Sequence, residues 1–422
     1  MSSTIRVAII GGGVAGASLI HALMKFQHLD VHIFESADEF KEAGMAFGIA
    51  RNAQVALELI GPSAAQCLRK AGAVPMKGVR FNIGQGEWAG SMVEEVDEET
   101  QGKRLTSIVH RANLLQQLLA DVPKDRMHAS KMLKTAVGDH PITLTFTDGT
   151  THECDILIGS DGIHSTVRKL ILGESDPAAS PRNTGHWLLM TLQPYDTVRQ
   201  SLDPALIDLH DAREYGWAGN NCMLMHNILS DGAIVQFAIG STDDGVASRS
   251  ANLWHRDVSA SEIRKMFRDW PPGLSRAVDE LLCNQSSHKA LYLWEHPKAR
   301  TYVSGPMCVT GDAAHSTTPW QGSGGGMSIE DSLILSTLLG HAKSPKEAVV
   351  ALQVYDEVRR PRTQRIVESS YDTGAILMGR SEGGLNPENI RPFISRWDFI
   401  IDIDMESHRD QALKIMDTRL GV

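Results

Sequence analysis

The sequence predicts an α/β fold in which a domain with a parallel sheet is interleaved with a mostly antiparallel β-sheet domain. Three observations support this prediction. Apolar, strand-like runs enter glycine-rich turns and then helical patterns near residues 10, 160 and 311. Between about residues 180 and 290, strand-like segments and hairpin signals dominate, and after residue 346 the pattern becomes helical. We predict a first domain over 1–75, 106–180 and 290–345, a second over 76–105 and 181–289, and a C-terminal helical region over 346–422.

The first glycine turn follows the apolar run 5–10. Gly11, Gly13 and Gly16 have the spacing G-x-G-x-x-G, and a helical pattern begins at once. In this motif the first glycine permits the tight turn, the second lets the backbone approach a pyrophosphate, and the third lets the helix pack against the strand. Because a helix N-terminus favours an anion, this stretch predicts a Rossmann-like dinucleotide site.

A carboxylate at the end of the next strand supports this interpretation. Glu35 ends the run 31–35 and lies 19 residues after Gly16. A carboxylate there accepts hydrogen bonds from a ribose and repels a 2′-phosphate. The alternative is a glycine turn in some other α/β protein.

Composition excludes several classes of function. The chain has 422 residues, a formal net charge of −10 and 42% hydrophobic residues, which is typical of a globular protein without a nucleic-acid partner. No apolar run is long enough to span a bilayer. The five cysteines are scattered and form no C-x-x-C pair, so we expect no metal site, no disulfide framework and a cytoplasmic location.

Two further glycine turns follow along the chain. The run 155–158 enters Gly159-Ser160-Asp161-Gly162. The run 307–310 enters Gly311-Asp312-Ala313-Ala314-His315 and then a glycine-rich helix entry over 319–326. Three such turns in one chain suggest a long cofactor that is held along its length, with the third helix start facing an anionic ring edge.

These motifs, in this order, resemble the class A flavoprotein aromatic hydroxylases, in particular the salicylate-hydroxylase-like branch. The most specific part is Gly-Asp-Ala-Ala-His, then Pro-x-Gln-Gly-x-Gly, then Glu-Asp, between Gly311 and Asp331. The resemblance covers most of the chain. It implies FAD as cofactor, NADPH or NADH as cosubstrate, no metal, and hydroxylation of a small phenolic or salicylate-like aromatic by O2 through a flavin hydroperoxide.

The resemblance also assigns cofactor contacts at the matching positions. It implies that Glu35 binds the adenosine ribose, that Asp312 binds the ribityl chain, and that Asp161 serves FAD and the nicotinamide nucleotide. His315 is interpreted as structural because it lies within the turn. The full set of implied cofactor contacts is Gly11, Gly13, Ala15, Gly16, Glu35, Gly48, Arg111, Asp161, Asp312, Gly324, Gly325 and Gly326. A connecting loop at Gly48 and a surface ion pair at Arg111 are the alternatives.

The substrate residues are less clear, because the sequence departs from the family pattern. Relatives carry an Arg on one strand and a Tyr-Pro pair after another, which orient a phenolate, whereas this chain has Asn227-Ile228 at the second place. The remaining polar candidates on the predicted strands are His226, Gln236, Tyr215 and His186, with Pro319 on the third turn. We predict His226 as the base, since a neutral imidazole accepts a proton near its usual pKa of about 6.5. Each candidate has an ordinary sheet residue as its alternative.

Strict alternation along the strands predicts which side chains face the flavin. It places Trp187, Leu189, Met223 and Met225 on one inward face, which suits a flat aromatic ring.

Two local predictions concern charge and proline. The acidic run 94–99 is predicted to be a solvated surface loop, and the helix 346–360 is predicted to be interrupted by Pro361.

Two other classes of function remain open. The first is another FAD-scaffold oxidoreductase, a prenyl reductase or a halogenase. Such halogenases carry W-x-W-x-I-P, and the eight tryptophans here are never two residues apart. The second is a flavin-binding protein without catalysis. The oligomeric state is not indicated by the sequence.

Overall fold

The structure is a computed structural model that describes residues 4–41, 46–210, 213–229, 232–243 and 253–422. The strands of this part are β1 (Ile5–Ile10), β2 (Leu29–Phe34), β3 (Ala46–Ile49), β4 (Val74–Met76), β5 (Gly78–Ile83), β6 (Met92–Asp97), β7 (Thr106–His110), β8 (Met127–His128), β9 (Leu133–Val137), β10 (Ile142–Phe146), β11 (Thr151–Cys154), β12 (Ile156–Gly159), β13 (Arg182–Pro194), β14 (Arg213–Ala218), β15 (Cys222–Leu229), β16 (Ile234–Thr242), β17 (His255–Ser259), β18 (Ser287–Glu295), β19 (Val303–Ser304) and β20 (Met307–Val309).

The α-helices of the same part are α1 (Val14–Leu23), α2 (Arg51–Ile60), α3 (Pro62–Lys70), α4 (Arg111–Leu119), α5 (Thr166–Leu172), α6 (Tyr195–Ser201), α7 (Ala260–Met266), α8 (Pro272–Leu282), α9 (Asp312–His315), α10 (Gly324–His341), α11 (Pro345–Leu377), α12 (Pro387–Ile390), α13 (Asp398–Ile401) and α14 (Met405–Leu420). Among the described residues, no helix combines the length and apolar character that crossing a bilayer requires.

The first large sheet has the strand order β19-β20-β12-β1-β2-β8. All of its pairings are parallel except β19 with β20. Its central strand, β1, is apolar along nearly its whole length because both of its faces are covered. The glycine turns at residues 11, 160 and 311 follow three neighbouring strands of this sheet, which brings them together at one edge.

The second large sheet has the order β17-β18-β13-β16-β15-β14-β5-β6, and every pairing except β14 with β5 is antiparallel. The strands β5 and β6 join it from the earlier segment 76–105. The dipeptide Asp231-Gly232 predicts a hairpin turn between β15 and β16, and its first residue lies outside the described ranges. The two sheets confirm the predicted α/β fold class, while the exact domain boundaries stay a prediction.

The second sheet has two apolar faces. We call outer the face that carries Trp187, Leu189 and Leu224, which form one core with the helices α6 to α8. We call inner the face that carries Leu188 and Met223, which pack in a cluster with Trp320 and the C-terminal helices.

The prediction of a single inward face is therefore wrong for Trp187 and Leu189, and the inner face carries Leu188 with Met223 and Met225. The register pairs both Leu188 and Met223 with Gly240, so these residues share a face. The phase of one strand relative to the next is set by pairing register, which alternation within each strand does not fix.

The acidic run is also not a surface loop. It begins within β6, where Glu95 binds Arg80 at 2.6 Å and Asp97 lies 3.3 Å from Arg213. Glu98 is buried and accepts from Arg51. Cations from distant segments of the chain neutralise this run, which the local sequence does not reveal.

Pro361 lies inside α11, so the predicted interruption is wrong. A proline inside a helix costs about 3 kcal/mol through a lost hydrogen bond and a steric clash. The cost is offset here because Arg359 and Arg362, on either side of the proline, are held by buried carboxylates of α10.

Those carboxylates, Glu330 and Asp331, form a buried charge cluster with the two arginines. Glu330 accepts from Arg359 at 2.6 Å, from Arg362 at 2.8 Å, and from the amide of Asn52 in α2 at 2.6 Å. Asp331 accepts from Arg359 at 2.8 Å. Burial opposes ionisation, but Arg359 and Arg362 hold the pKa of Glu330 down to about 2. His315 and Arg359 hold the pKa of Asp331 well below its usual range.

We expect Arg359→Met to lower the free energy of unfolding by about 3–5 kcal/mol, because it leaves two buried carboxylates without their shared cation. The matched control is Arg360→Met, whose partly buried guanidinium pairs with Asp356 and with no other acid among the described residues. Its expected cost is about 1 kcal/mol or less. Urea unfolding of the FAD-saturated proteins measures both, and equal losses would contradict the assigned role of the cluster.

Candidate active site

The three glycine turns meet so closely that side chains are excluded between them. A Cβ on Gly11 would lie 2.2 Å from the carbonyl oxygen of Ser160, and a Cβ on Gly16 would lie 2.0 Å from that of Gly11. A Cβ on Gly311 would lie 2.6 Å from the Cβ of Ala15. Gly11 and Gly311 also have φ values of +105° and +59°, which favour glycine. The turns therefore pack backbone against backbone and form a single cradle, which we call the glycine cradle.

Two helix N-termini face this cradle with little side-chain capping. None of the described side chains caps α1 at Gly13 or α10 at Ser323, and neither first turn contains an acid. The hydroxyl of Ser323 donates instead to the carbonyl of Gln321. Backbone N–H groups at both helix starts therefore suit anionic partners, which a pyrophosphate and an electron-rich flavin edge provide.

Glu35 lies at the rim of the first turn. One carboxylate oxygen accepts from the Gly12 N–H at 2.7 Å, and the other accepts from the Ala37 N–H at 2.8 Å. The side chain is partly exposed. This position is suited to the predicted ribose contact.

Asp161 caps a helix in the second glycine turn. Its carboxylate accepts from Ser165 at 2.5 Å, from the Thr166 N–H at 2.7 Å and from the Val167 N–H at 3.2 Å, so it caps the start of α5. Burial raises the pKa of this carboxyl, although the hydrogen bonds act in the opposite direction. The predicted contact of Asp161 with FAD and the nicotinamide nucleotide stays a prediction.

The strand β3 brings an aromatic side chain to the start of α10. A Cβ on Gly325 would lie 2.4 Å from the ring of Phe47, and the guanidinium of Arg111 lies over the same ring at 5.9 Å from its centroid. A Cβ on Gly48 would instead face Thr106 at 3.3 Å. Phe47 is thus a site residue that sequence reasoning missed, although it is adjacent to Gly48.

Two residues of the third turn differ in exposure. Asp312 is exposed at the start of α9, beside the cradle, where its carboxylate can reach a ligand. His315 is buried, and its Nε2 lies 2.6 Å from Asp331 of the charge cluster. That contact fits the interpretation of His315 as structural.

The predicted base, His226, lies on the outer face of the second sheet. Its ring stacks on Tyr215 at 4.9 Å, and the indole N–H of Trp217 lies 3.4 Å from its Nε2. Burial lowers the pKa of His226 to about 3. Because the sheet separates His226 and Tyr215 from the inner face, their positions give no support to the predicted base or to the predicted substrate contact.

The other two candidates lie on the inner face. His186 stacks on Tyr371 at 5.5 Å and lies 5.9 Å from Trp320, and burial lowers its pKa to about 4. Gln236 is buried at the opposite end of the same face and accepts no hydrogen bond from the described residues at its Oε1. Both stay candidates for substrate contact.

Trp320 closes the inner face at its His186 end. A Cβ on Gly240 of β16 would lie 2.6 Å from its indole ring, and a Cβ on Gly374 of α11 would lie 2.4 Å from its Nε1. The indole therefore fills the space between the sheet and α11, and we call it the Trp320 wedge. Pro319, exposed beside it, begins the short turn that carries the wedge.

Comparison with known proteins identifies the family. A family model described as an FAD binding domain matches residues 4–370. The chain belongs to this FAD-binding family. The predicted family and the predicted FAD cofactor are thereby confirmed, and the uncapped helix starts and the glycine cradle fit such a cofactor.

Individual relatives are similar over most of their length. The 6-methylsalicylate 1-monooxygenase of Aspergillus terreus is 36% identical and the match covers 88% of this chain and 82% of that protein. An FAD-dependent monooxygenase of Monascus ruber is 31% identical, with 94% of each chain covered. A solved salicylate hydroxylase substrate complex shares the fold, with a TM-score of 0.83, 24% identity and 98% coverage of each chain.

We expect Gly11→Ala to abolish FAD retention, because the new Cβ would collide with backbone of the second turn. The control is Gly149→Ala, at a φ of +84° with no atom within 4 Å of the added Cβ. The control has the same backbone strain without the collision. The FAD content of purified protein, measured by absorbance, distinguishes them, and equal retention would contradict the cradle.

Proposed function

We propose that this protein is an FAD-dependent monooxygenase that uses NADPH or NADH and O2 to hydroxylate a small phenolic or salicylate-like aromatic compound. The observation that carries this proposal is the glycine cradle, together with an apolar sheet face that packs against Trp320, in a chain 36% identical to a 6-methylsalicylate 1-monooxygenase. Bound FAD would take electrons from the nicotinamide and use them to activate O2.

Within this proposal, the residues of the chain bind, orient and exclude water. The N–H groups of the first turn and α1 bind the pyrophosphate, Glu35 binds the ribose, and Asp312 binds the ribityl hydroxyls. The N-terminus of α10 stabilises negative charge on the flavin ring edge. The apolar inner face excludes water from the reacting centre, which protects a reactive oxygen species from wasteful decay.

The alternatives have less support. A prenyl reductase, a halogenase or a flavin-binding protein without catalysis would share the cradle, but similar proteins are named as monooxygenases or as a salicylate hydroxylase. We propose a cytoplasmic location and a small-molecule substrate, in line with the acidic net charge.

The first test is turnover. We expect FAD-loaded protein to oxidise NADH or NADPH faster when 6-methylsalicylate or salicylate is added, with O2 consumption and a hydroxylated product detected by mass spectrometry. The proposal would be contradicted if no aromatic of a phenol panel increased the rate at which the protein oxidises NADH or NADPH.

The second test concerns the cofactor contact of Asp312. We expect Asp312→Asn to weaken FAD binding by about 10- to 100-fold, because a hydrogen bond to a charged group is replaced by a neutral one. The control is Asp125→Asn, whose carboxylate is largely exposed and remote from the glycine turns. Fluorescence titration of apoprotein with FAD gives both dissociation constants, and equal values would reject the contact.

A further inference from the structure

One end of the inner face carries three polar side chains in a row across neighbouring strands. The register pairs Tyr215 with His226, and its continuation places Glu214 opposite Asn227. Asn227 is in turn paired with Gln236, whose amide donates to it at 3.4 Å. Side chains directly opposite each other in a sheet have Cβ atoms about 5 Å apart. Glu214, Asn227 and Gln236 therefore form one continuous polar row.

An apolar row lies beside the polar one. Two residues further along the strands, and so about 7 Å away, the same face carries Met225, Ala238 and Met190. The next row, with Met223 and Gly240, touches the Trp320 wedge. The middle row thus offers a flat apolar surface for a ring, with the wedge at one end and the polar row at the other.

The polar row has unused hydrogen-bonding capacity. Gln236 and Asn227 are each 6% exposed, and Gln236 Oε1 has no hydrogen-bond partner among the described residues. An unpaired acceptor at this depth costs free energy unless a ligand supplies a donor. A ligand with an O–H or N–H group next to the apolar row would therefore satisfy the Gln236 acceptor.

The carboxyl of Glu214 is poised to exchange a proton. It is partly accessible, forms neither a hydrogen bond nor an ion pair with the described residues, and burial raises its pKa to about 7. Val79 and Asn227, its neighbours across the strands, are uncharged. The nearby charged residues of these strands, Arg80, Arg213, Glu95 and Asp97, alternate to the outer face and pair there with one another.

We propose that Glu214 is a catalytic residue that accepts the proton of a ring hydroxyl of the substrate, while Gln236 and Asn227 hold that hydroxyl in place. This proposal rests on the proposed function. The O–H bond breaks, the proton passes to the carboxylate, and the electron pair stays on oxygen, which makes the ring electron-rich for oxygen transfer. The proton returns to the hydroxylated product, so none is consumed. The substrate class is an aromatic that carries a free hydroxyl group beside the position of hydroxylation.

The variant Glu214→Gln tests the proposal with 6-methylsalicylate, salicylate and 3-methylphenol as probes. In the wild type, kcat/KM should rise as the pH increases through about 7, because the base must be ionised. In the variant this rise should disappear, and product formation should fall about 100-fold while NAD(P)H oxidation continues to hydrogen peroxide. The matched control Glu94→Gln, at the exposed side of β6 near Arg391, should leave the profile unchanged.

The possible results separate the two proposals. An active wild type whose pH profile and coupling are unchanged in Glu214→Gln would overturn the role of Glu214 alone. A wild type that no phenol stimulates would overturn the proposed function as well. If the Gln variant does not retain FAD, Glu214→Asp replaces it. The Glu214→Asp variant should keep the rise of kcat/KM with pH but turn over more slowly than the wild type. A Glu214→Asp variant that turns over as fast as the wild type would count against the proposal.

Discussion

The buried charge cluster of α10 and α11 is the constraint on which the cofactor cradle depends. Asp331 accepts from the hydroxyl of Thr310, the N–H of Gly311 and the ring of His315, so one carboxylate holds both sides of the third glycine turn. Glu330 ties the same helix to α2 through Asn52. Removing two carboxylates and two guanidinium groups from water is expensive, and good geometry on every side is what compensates for it. The cluster fixes where α10 begins, and the N-terminus of this helix is the part that is predicted to face the cofactor.

Much of this arrangement could be predicted from the sequence, because local motifs specify it. The glycine spacing near Gly11, the carboxylate at Glu35 and the order of the three turns gave the family and the cofactor. The same motifs contained a charged pair, Glu330-Asp331, whose arginine partners come from another helix. No local pattern shows that pairing, and for the same reason Pro361 was predicted to end a helix that in fact continues.

The substrate side could not be predicted, because it depends on long-range strand pairing. Alternation within one strand gives two faces but does not show which of them is the inner face. The register of β15 with β14 and β16 places His226 on the outer face and Glu214 on the inner face. Glu214 adjoins two residues, Arg213 and Tyr215, whose side chains point to the outer face. Only the pairing of distant strands distinguishes an ordinary surface acid from a partly buried carboxyl near the apolar row.

The Trp320 wedge has a consequence for how related sequences diverge. Its indole fills the space that side chains at Gly240 and Gly374 would need, although the three residues come from a strand, a turn and a helix far apart in the chain. Side chains at these three positions therefore compete for the same space. A relative with a small residue in place of the tryptophan is free to carry larger side chains at both glycine positions, and would have a differently shaped ring-binding surface. Sequence covariation among these three sites should thus follow substrate size across the family.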